Sequence, residues 1–210
     1  MSATRFYAAA SAAALIFAGA AAAQGTSYPT TQPTTQPPTQ TAALAPAPAL
    51  PPPAEIDIGK IAPDFTMEWA DASGARAAPL KLSDLRGKVV VLAFYPADRS
   101  SGCTAELTKF RDEYAKMFGD ESVVVVPISN DDIPTHASWA QEMKFPFALG
   151  SDPQLTVAKQ YGSWTPGRTT AGRTVFVIGK DGRILWRNLK FPALNENAYT
   201  ELAAEVSKAR

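Results

Sequence analysis

One cysteine, one histidine and a net charge of zero in 210 residues set the first limits on what this chain can do. A lone cysteine forbids any disulfide within the chain. One cysteine and one histidine also fall short of the ligand count of a zinc, iron–sulfur or haem site, so no cofactor is expected. Twenty basic residues against twenty acidic ones leave no cationic excess. No basic stripe appears locally either, and nucleic acid is not expected as a partner. Glycine-rich loops of the phosphate-cradling kind are missing, since Gly179-Lys180-Asp181-Gly182 reads better as a hairpin turn. Beyond the first 23 residues there is no long uncharged apolar run. The mature chain is therefore not expected to insert stably in a membrane.

What is present divides into three segments. Arg5 precedes an alanine-rich apolar stretch, Phe6 to Ala20, and Ala21-Ala22-Ala23 supplies a small-residue cleavage pattern before Gln24. Residues 1–23 are read as a signal peptide, which makes the protein exported, periplasmic or secreted. Retention as a short anchor is the alternative, but the stretch is brief and its alanines insert weakly. Residues 24–53 turn to Pro, Thr, Gln and Ala, with Thr30-Thr31-Gln32-Pro33 echoed by Thr34-Thr35-Gln36-Pro37 and no charge at all. Such a segment cannot bury a core, and a disordered or polyproline-like linker is expected. Residues 54–210 are long enough to fold alone around one core.

Within that domain, Val89–Phe94 and Ser122–Ile128 are continuous β-branched runs, the pattern of strands buried on both faces of a sheet. Between them, Leu107, Phe110, Tyr114, Met117 and Phe118 recur at helical spacing over 105–118. A strand–helix–strand unit makes the two strands parallel. Further helices are expected over 135–143, 155–161 and 196–208, and a hairpin from Thr174–Ile178 to Arg183–Trp186. Phe65–Trp69 and Pro79–Leu82 suggest another hairpin at the front. The fold class is α/β, a central mixed sheet flanked by helices.

The chemistry gathers where the first buried strand meets its helix, at Tyr95-Pro96-Ala97-Asp98-Arg99-Ser100-Ser101-Gly102-Cys103. Cys103 falls in the first helical turn, with Ser100 or Ser101 placed to cap it. Free N–H groups and the positive end of the helix dipole favour an anion there, and the anion is the form in which a thiol is nucleophilic. The same N–H groups can hold a substrate oxygen as negative charge develops on it.

This stretch resembles the peroxiredoxin active-site motif of Pro, three residues, Thr, two residues, Cys, present here as Pro96, Ser100 and Cys103 with serine in place of threonine. The likeness runs from Gly59-Lys60-Ile61-Ala62-Pro63-Asp64-Phe65 through Leu82-Ser83-Asp84-Leu85-Arg86-Gly87-Lys88 to Arg173-Thr174-Val175-Phe176-Val177-Ile178. Tyr161-Gly162-Ser163-Trp164 points to the Q-type branch, the bacterioferritin comigratory proteins. The resemblance implies a thioredoxin-like fold and a thiol-dependent peroxidase. Cys103 would attack a hydroperoxide and become a sulfenic acid, Arg173 would stabilise the thiolate and the peroxide, Pro96 would shield the site, and Glu106 would orient the arginine. Arg168 ranks second to Arg173 for that role. Q-type members often place a resolving cysteine five residues after the first, where this chain has Thr108. An external thiol or thioredoxin-like reductant is therefore implied, acting on a monomer or weak dimer.

Two other functions fit parts of the sequence, a single-thiol redox carrier and a non-catalytic tethered binding module. The carrier is disfavoured because Ser100 occupies the first position of a Cys-x-x-Cys spacing. Trp139 and Trp164 read as packing residues, and His136, the only histidine, as a residue of a helix surface.

Overall fold

The computed structural model describes residues 56–210, so the signal peptide expected over 1–23 and the linker expected over 24–53 lie outside the described residues. Along the described chain come β1 (Thr66–Asp71), β2 (Gly74–Ala75), β3 (Leu80–Lys81), a 3-10 turn (Leu82–Leu85), β4 (Val89–Phe94), α1 (Ser101–Asp112), α2 (Tyr114–Met117) and β5 (Val123–Ser129). They are followed by α3 (Ile133–Met143), β6 (Leu149–Ser151), α4 (Thr156–Gln160), β7 (Thr174–Ile178), β8 (Ile184–Asn188) and α5 (Glu196–Ala209). The strands form one mixed sheet in the order β2-β1-β6-β5-β4-β7-β8, with β3 paired to β1. Among the described residues no helix is long and apolar enough to cross a membrane.

The buried runs became central strands for the reason their composition gives. All six residues of β4 are buried. Alternation sends Val89, Val91 and Ala93 into a core shared with α1, α3 and α5, and sends Val90, Leu92 and Phe94 into a second core with α4 and Tyr161 on the other face. The parallel pairing of β4 with β5 is as expected from the helical crossover.

One local expectation is corrected, the unbroken helix after β4. The helix starts at Ser101, with Cys103 in its first turn as expected, but the apolar spacing over 105–118 does not run through one helix: it is interrupted at Glu113, where φ −107° and ψ 19° separate α1 from α2. The aromatic side chains around the break pack against one another, Phe110 and Tyr114 each edge-on to Phe118. The front hairpin expected from Phe65–Trp69 and Pro79–Leu82 is present as the antiparallel pair of β1 and β3, and β1 also folds back on the two-residue β2 across Asp71 and Gly74. Strand β6 carried no readable signal, being three residues with a glycine at its centre. A Cβ at Gly150 would stand 2.5 Å from the Met67 sulfur, so close packing of β6 against β1 requires the residue that has no strand propensity.

For the site, the decisive feature is one register. β4 and β7 are antiparallel with Phe94 opposite Thr174, so the chain leaving β4 at Tyr95 lies beside the chain entering β7 at Arg173. Residues distant in sequence thus meet at the carboxyl end of β4, the edge at which open α/β sheets place their ligands.

Candidate active site

Helix α1 presents one stripe inward, Cys103, Glu106, Leu107 and Phe110, at the i, i+3, i+4, i+7 spacing of a buried helical face. Leu107 and Phe110 anchor that stripe in the core, and the anchoring carries the two polar members inward with it. Cys103 and Glu106 are both fully buried. One helical turn separates them, so a single planar cation can reach both. Arg173 does so: Nη2 donates to Cys103 Sγ at 3.4 Å, and Nη1 donates to Glu106 Oε2. Gly102 makes room for this arrangement, since a Cβ there would lie 3.1 Å from Arg173 Nη2.

The charges in this triad are set by burial and by one another. Burial raises the Glu106 carboxyl to about 7, against the opposing pull of the Arg173 charge and hydrogen bond. Its second oxygen, Oε1, has no hydrogen-bond partner among the described residues. Burial works against the Arg173 cation, but the neighbouring Glu106 and Cys103 outweigh it and raise its pKa above the ordinary arginine value. Tyr199 is raised by burial and then by the Glu106 charge, and its hydroxyl donates to the Ala193 carbonyl at 2.6 Å. A carboxylate alone would oppose a thiolate nearby. Placed behind the guanidinium, Glu106 instead keeps the arginine aimed at sulfur.

The structure therefore joins Cys103, Arg173 and Glu106. Arg173, not Arg168, is the arginine at the thiol. Arg168 lines a cleft of about 370 Å³ with Trp164, Leu189, Phe191 and Arg173, and its carbonyl accepts from the Trp164 indole. Pro96 is half-buried where the chain leaves β4. Ser100 is the N-cap of α1 through its backbone, whose carbonyl accepts from Thr104 N–H at 2.8 Å. Its side chain makes no cap hydrogen bond, a correction to the sequence reading: Oγ donates back to the Ala97 carbonyl at 3.1 Å and tightens the loop. Thr108, at the position of a resolving cysteine, has a buried hydroxyl with no partner among the described residues.

His136 corrects a second expectation. It is not on a helix surface but completely buried, with Nδ1 2.9 Å from Asp98 Oδ2. Its surface reading failed because α3 is held against the β4–α1 loop as well as the sheet, with His136 on Asp98 and with Ser138 and Glu142 on Arg99. Asp98 was not singled out from the sequence at all. Its only signal was its position, five residues before the cysteine. Trp139 is buried in the core, as a packing residue should be.

Set beside known proteins, the chain matches the AhpC/TSA family over residues 58–187. It is 34% identical over 143 residues to peroxiredoxin Bcp of Bacillus subtilis, covering 64% of this chain and 87% of that one. It is 39% identical over 132 residues to the chloroplastic peroxiredoxin Q of Sedum lineare, covering 61% of this chain and 67% of that one. Among solved structures it is similar to peroxidoxin BcpB of Mycobacterium tuberculosis, with a TM-score of 0.61, 33% identity and coverage of 73% and 97% of the two chains.

Proposed function

The chain belongs to the AhpC/TSA family, and from that premise we propose how its own residues carry out the reduction of a hydroperoxide. It is a peroxiredoxin, a thiol-dependent peroxidase with a thioredoxin-like fold. The observation that carries the residue assignment is the single guanidinium of Arg173 shared between Cys103 Sγ and Glu106.

In the step assigned to Cys103, the thiolate attacks the terminal oxygen of the peroxide. The S–O bond forms as the O–O bond breaks, sulfur loses two electrons, and the alkoxide or hydroxide that leaves takes up a proton to become an alcohol or water. Arg173 stabilises both the attacking sulfur and the charge appearing on the leaving oxygen. Ser100 already donates its proton to the Ala97 carbonyl, so its oxygen is left to accept from the peroxide O–H. The N–H groups of the first turn of α1, in which Cys103 lies, can hold the same oxygens, and Pro96 is assigned to limit the approach of water. The cleft running up to Arg173 gives an organic group room on the arginine side.

The product sulfenic acid has no second cysteine in the chain to react with. An external thiol, small or protein-borne, attacks it to give a mixed disulfide and water, and a second thiol releases Cys103. Because Cys103 is buried, the sulfur must move outward for that exchange. The N-terminal pattern of Arg5, the apolar stretch to Ala20 and the small residues before Gln24 supports export to the periplasm or beyond, with Gln24 as the new N-terminus; an intact mass of the exported form that retains residues 1–23 would sink that reading.

Rapid mixing of the reduced full chain with hydrogen peroxide and with cumene hydroperoxide, followed by mass spectrometry, tests the assignment. One oxygen should be gained on Cys103 far faster than on free cysteine, none in Cys103→Ser, and roughly a hundredfold to a thousandfold more slowly in Arg173→Ala. A wild-type thiol no faster than free cysteine towards either peroxide overturns it.

A further inference from the structure

The loop that delivers Cys103 is bolted to a neighbouring helix through groups the peroxidase chemistry does not use. Between the end of β4 and the start of α1, the Asp98 carboxylate turns inward and is only 1% exposed. Its Oδ1 accepts from the Tyr95 hydroxyl at 2.6 Å, and its Oδ2 faces His136 Nδ1 at 2.9 Å. With Asp98 taken as the acceptor, as it is for the Tyr95 hydroxyl, Nδ1 is assigned as the ring nitrogen that donates. The Asp98 N–H donates to Asp131 Oδ2 at 2.8 Å, an oxygen that Ser129 also reaches at 2.6 Å. The next residue, Arg99, is held at φ 58°, a left-handed conformation unfavourable for any residue with a Cβ. Its guanidinium lies on Ser138 at 2.7 Å and Glu142 at 3.1 Å. The loop therefore carries strain, and α3 supplies the holding points at His136, Ser138 and Glu142. Of these only the His136 contact is buried.

We propose that His136 is a positioning residue for the peroxidase reaction: through Nδ1 it holds Asp98, and through Asp98 the strained turn that sets Ser100 and the first turn of α1 around Cys103. The inference rests on the peroxidatic reading of Cys103. Its reach comes from the geometry, because Asp98 sits between Pro96 and Ser100 and the left-handed turn at Arg99 leads from it directly into Ser100, the N-cap of α1. Strain of this kind persists only where surrounding contacts over-determine it, and it collects at functional sites.

The test compares His136→Asn with His136→Gln in the full chain. The asparagine amide can occupy the place of Nδ1, whereas the glutamine amide corresponds to Nε2, which has no partner among the described residues. Misplacing the reacting groups should slow Cys103 oxidation by hydrogen peroxide roughly tenfold to a hundredfold in His136→Gln and in Asp98→Ala. His136→Asn should recover most of the rate. Melting temperatures of the same variants separate this from general loosening, since a purely structural role would lower them together without the asparagine rescue of rate. Equal rates for the asparagine and glutamine variants, or rates within twofold of wild type while the melting temperature falls, overturn the role of His136 alone. A wild-type rate no faster than free cysteine overturns the peroxidase reading and the role with it.

Discussion

Two buried carboxylates flank the junction of β4 and α1, and they are held in opposite ways. Asp98 has both oxygens engaged, by the Tyr95 hydroxyl and by His136. Glu106 has one oxygen on Arg173 and the other without a partner among the described residues. A buried carboxylate whose two oxygens are both satisfied resists change, because any alteration strands a polar group away from water. A half-satisfied one changes its protonation state more readily, and burial puts Glu106 at about 7. The first arrangement suits holding a loop. The second suits tuning the charge beside a reacting sulfur.

Making Glu106 permanently neutral breaks that contrast most severely. Glu106→Gln retains an oxygen for Arg173 but no charge, so the guanidinium is no longer drawn back towards α1. Oxidation of Cys103 should slow by about tenfold to a hundredfold near pH 8, where the wild-type carboxyl is ionised. The deficit should shrink near pH 6, about one unit below its pKa, because most of the wild-type carboxyl is then protonated as well. Stability carries the same signature with a defined sign. The folded pKa lies above the ordinary 4.5, so the stability Glu106 contributes is fully present below about pH 4.5 and is lost as pH rises through about 7. In a Cys103→Ser background, which removes the thiol's own titration, Glu106→Gln should therefore gain on its parent in melting temperature between about pH 5 and pH 8. A difference constant with pH would mean that the two carboxylates are not held differently after all.

How far each cluster could be read from the sequence differs in the same way. The frame was legible because β4 and β5 are unbroken β-branched runs and α1 repeats its apolar residues at helical spacing. Cys103 was legible through motif spacing and Glu106 and Arg173 through the family resemblance, and the register of β4 on β7 supplies the physical reason that residues so distant in sequence converge. The Asp98–His136 pair was not legible. An aspartate in a loop and a histidine on an amphipathic helix are each ordinarily solvated, and only the packing of α3 over the β4–α1 loop buries them together. The side-chain direction of Ser100 was equally hidden. Spacing places a hydroxyl at a helix start, but the loop carbonyl of Ala97 competes with the helix N–H groups for it, and here the carbonyl wins.

A smaller perturbation sharpens the contrast from the arginine side. Gly102 lies in the first turn of α1, where alanine is the better helix former by up to about 1 kcal/mol, so Gly102→Ala should leave the melting temperature unchanged or slightly raised. The added Cβ, however, would stand 3.1 Å from Arg173 Nη2, the nitrogen that donates to Cys103 Sγ. The far end of an arginine ordinarily yields to such a contact at little cost, but this one is fixed by Glu106 and can yield only by drawing away from sulfur. Oxidation of Cys103 should slow by roughly threefold to tenfold with no loss of stability. The same substitution in Arg173→Ala should change the rate no further, because the group it displaces is gone. If Gly102→Ala slowed both backgrounds equally, the alanine would be acting on the helix start or on access to the thiol, and the guanidinium would lose its place as the feature that distinguishes the reactive cluster from the holding one.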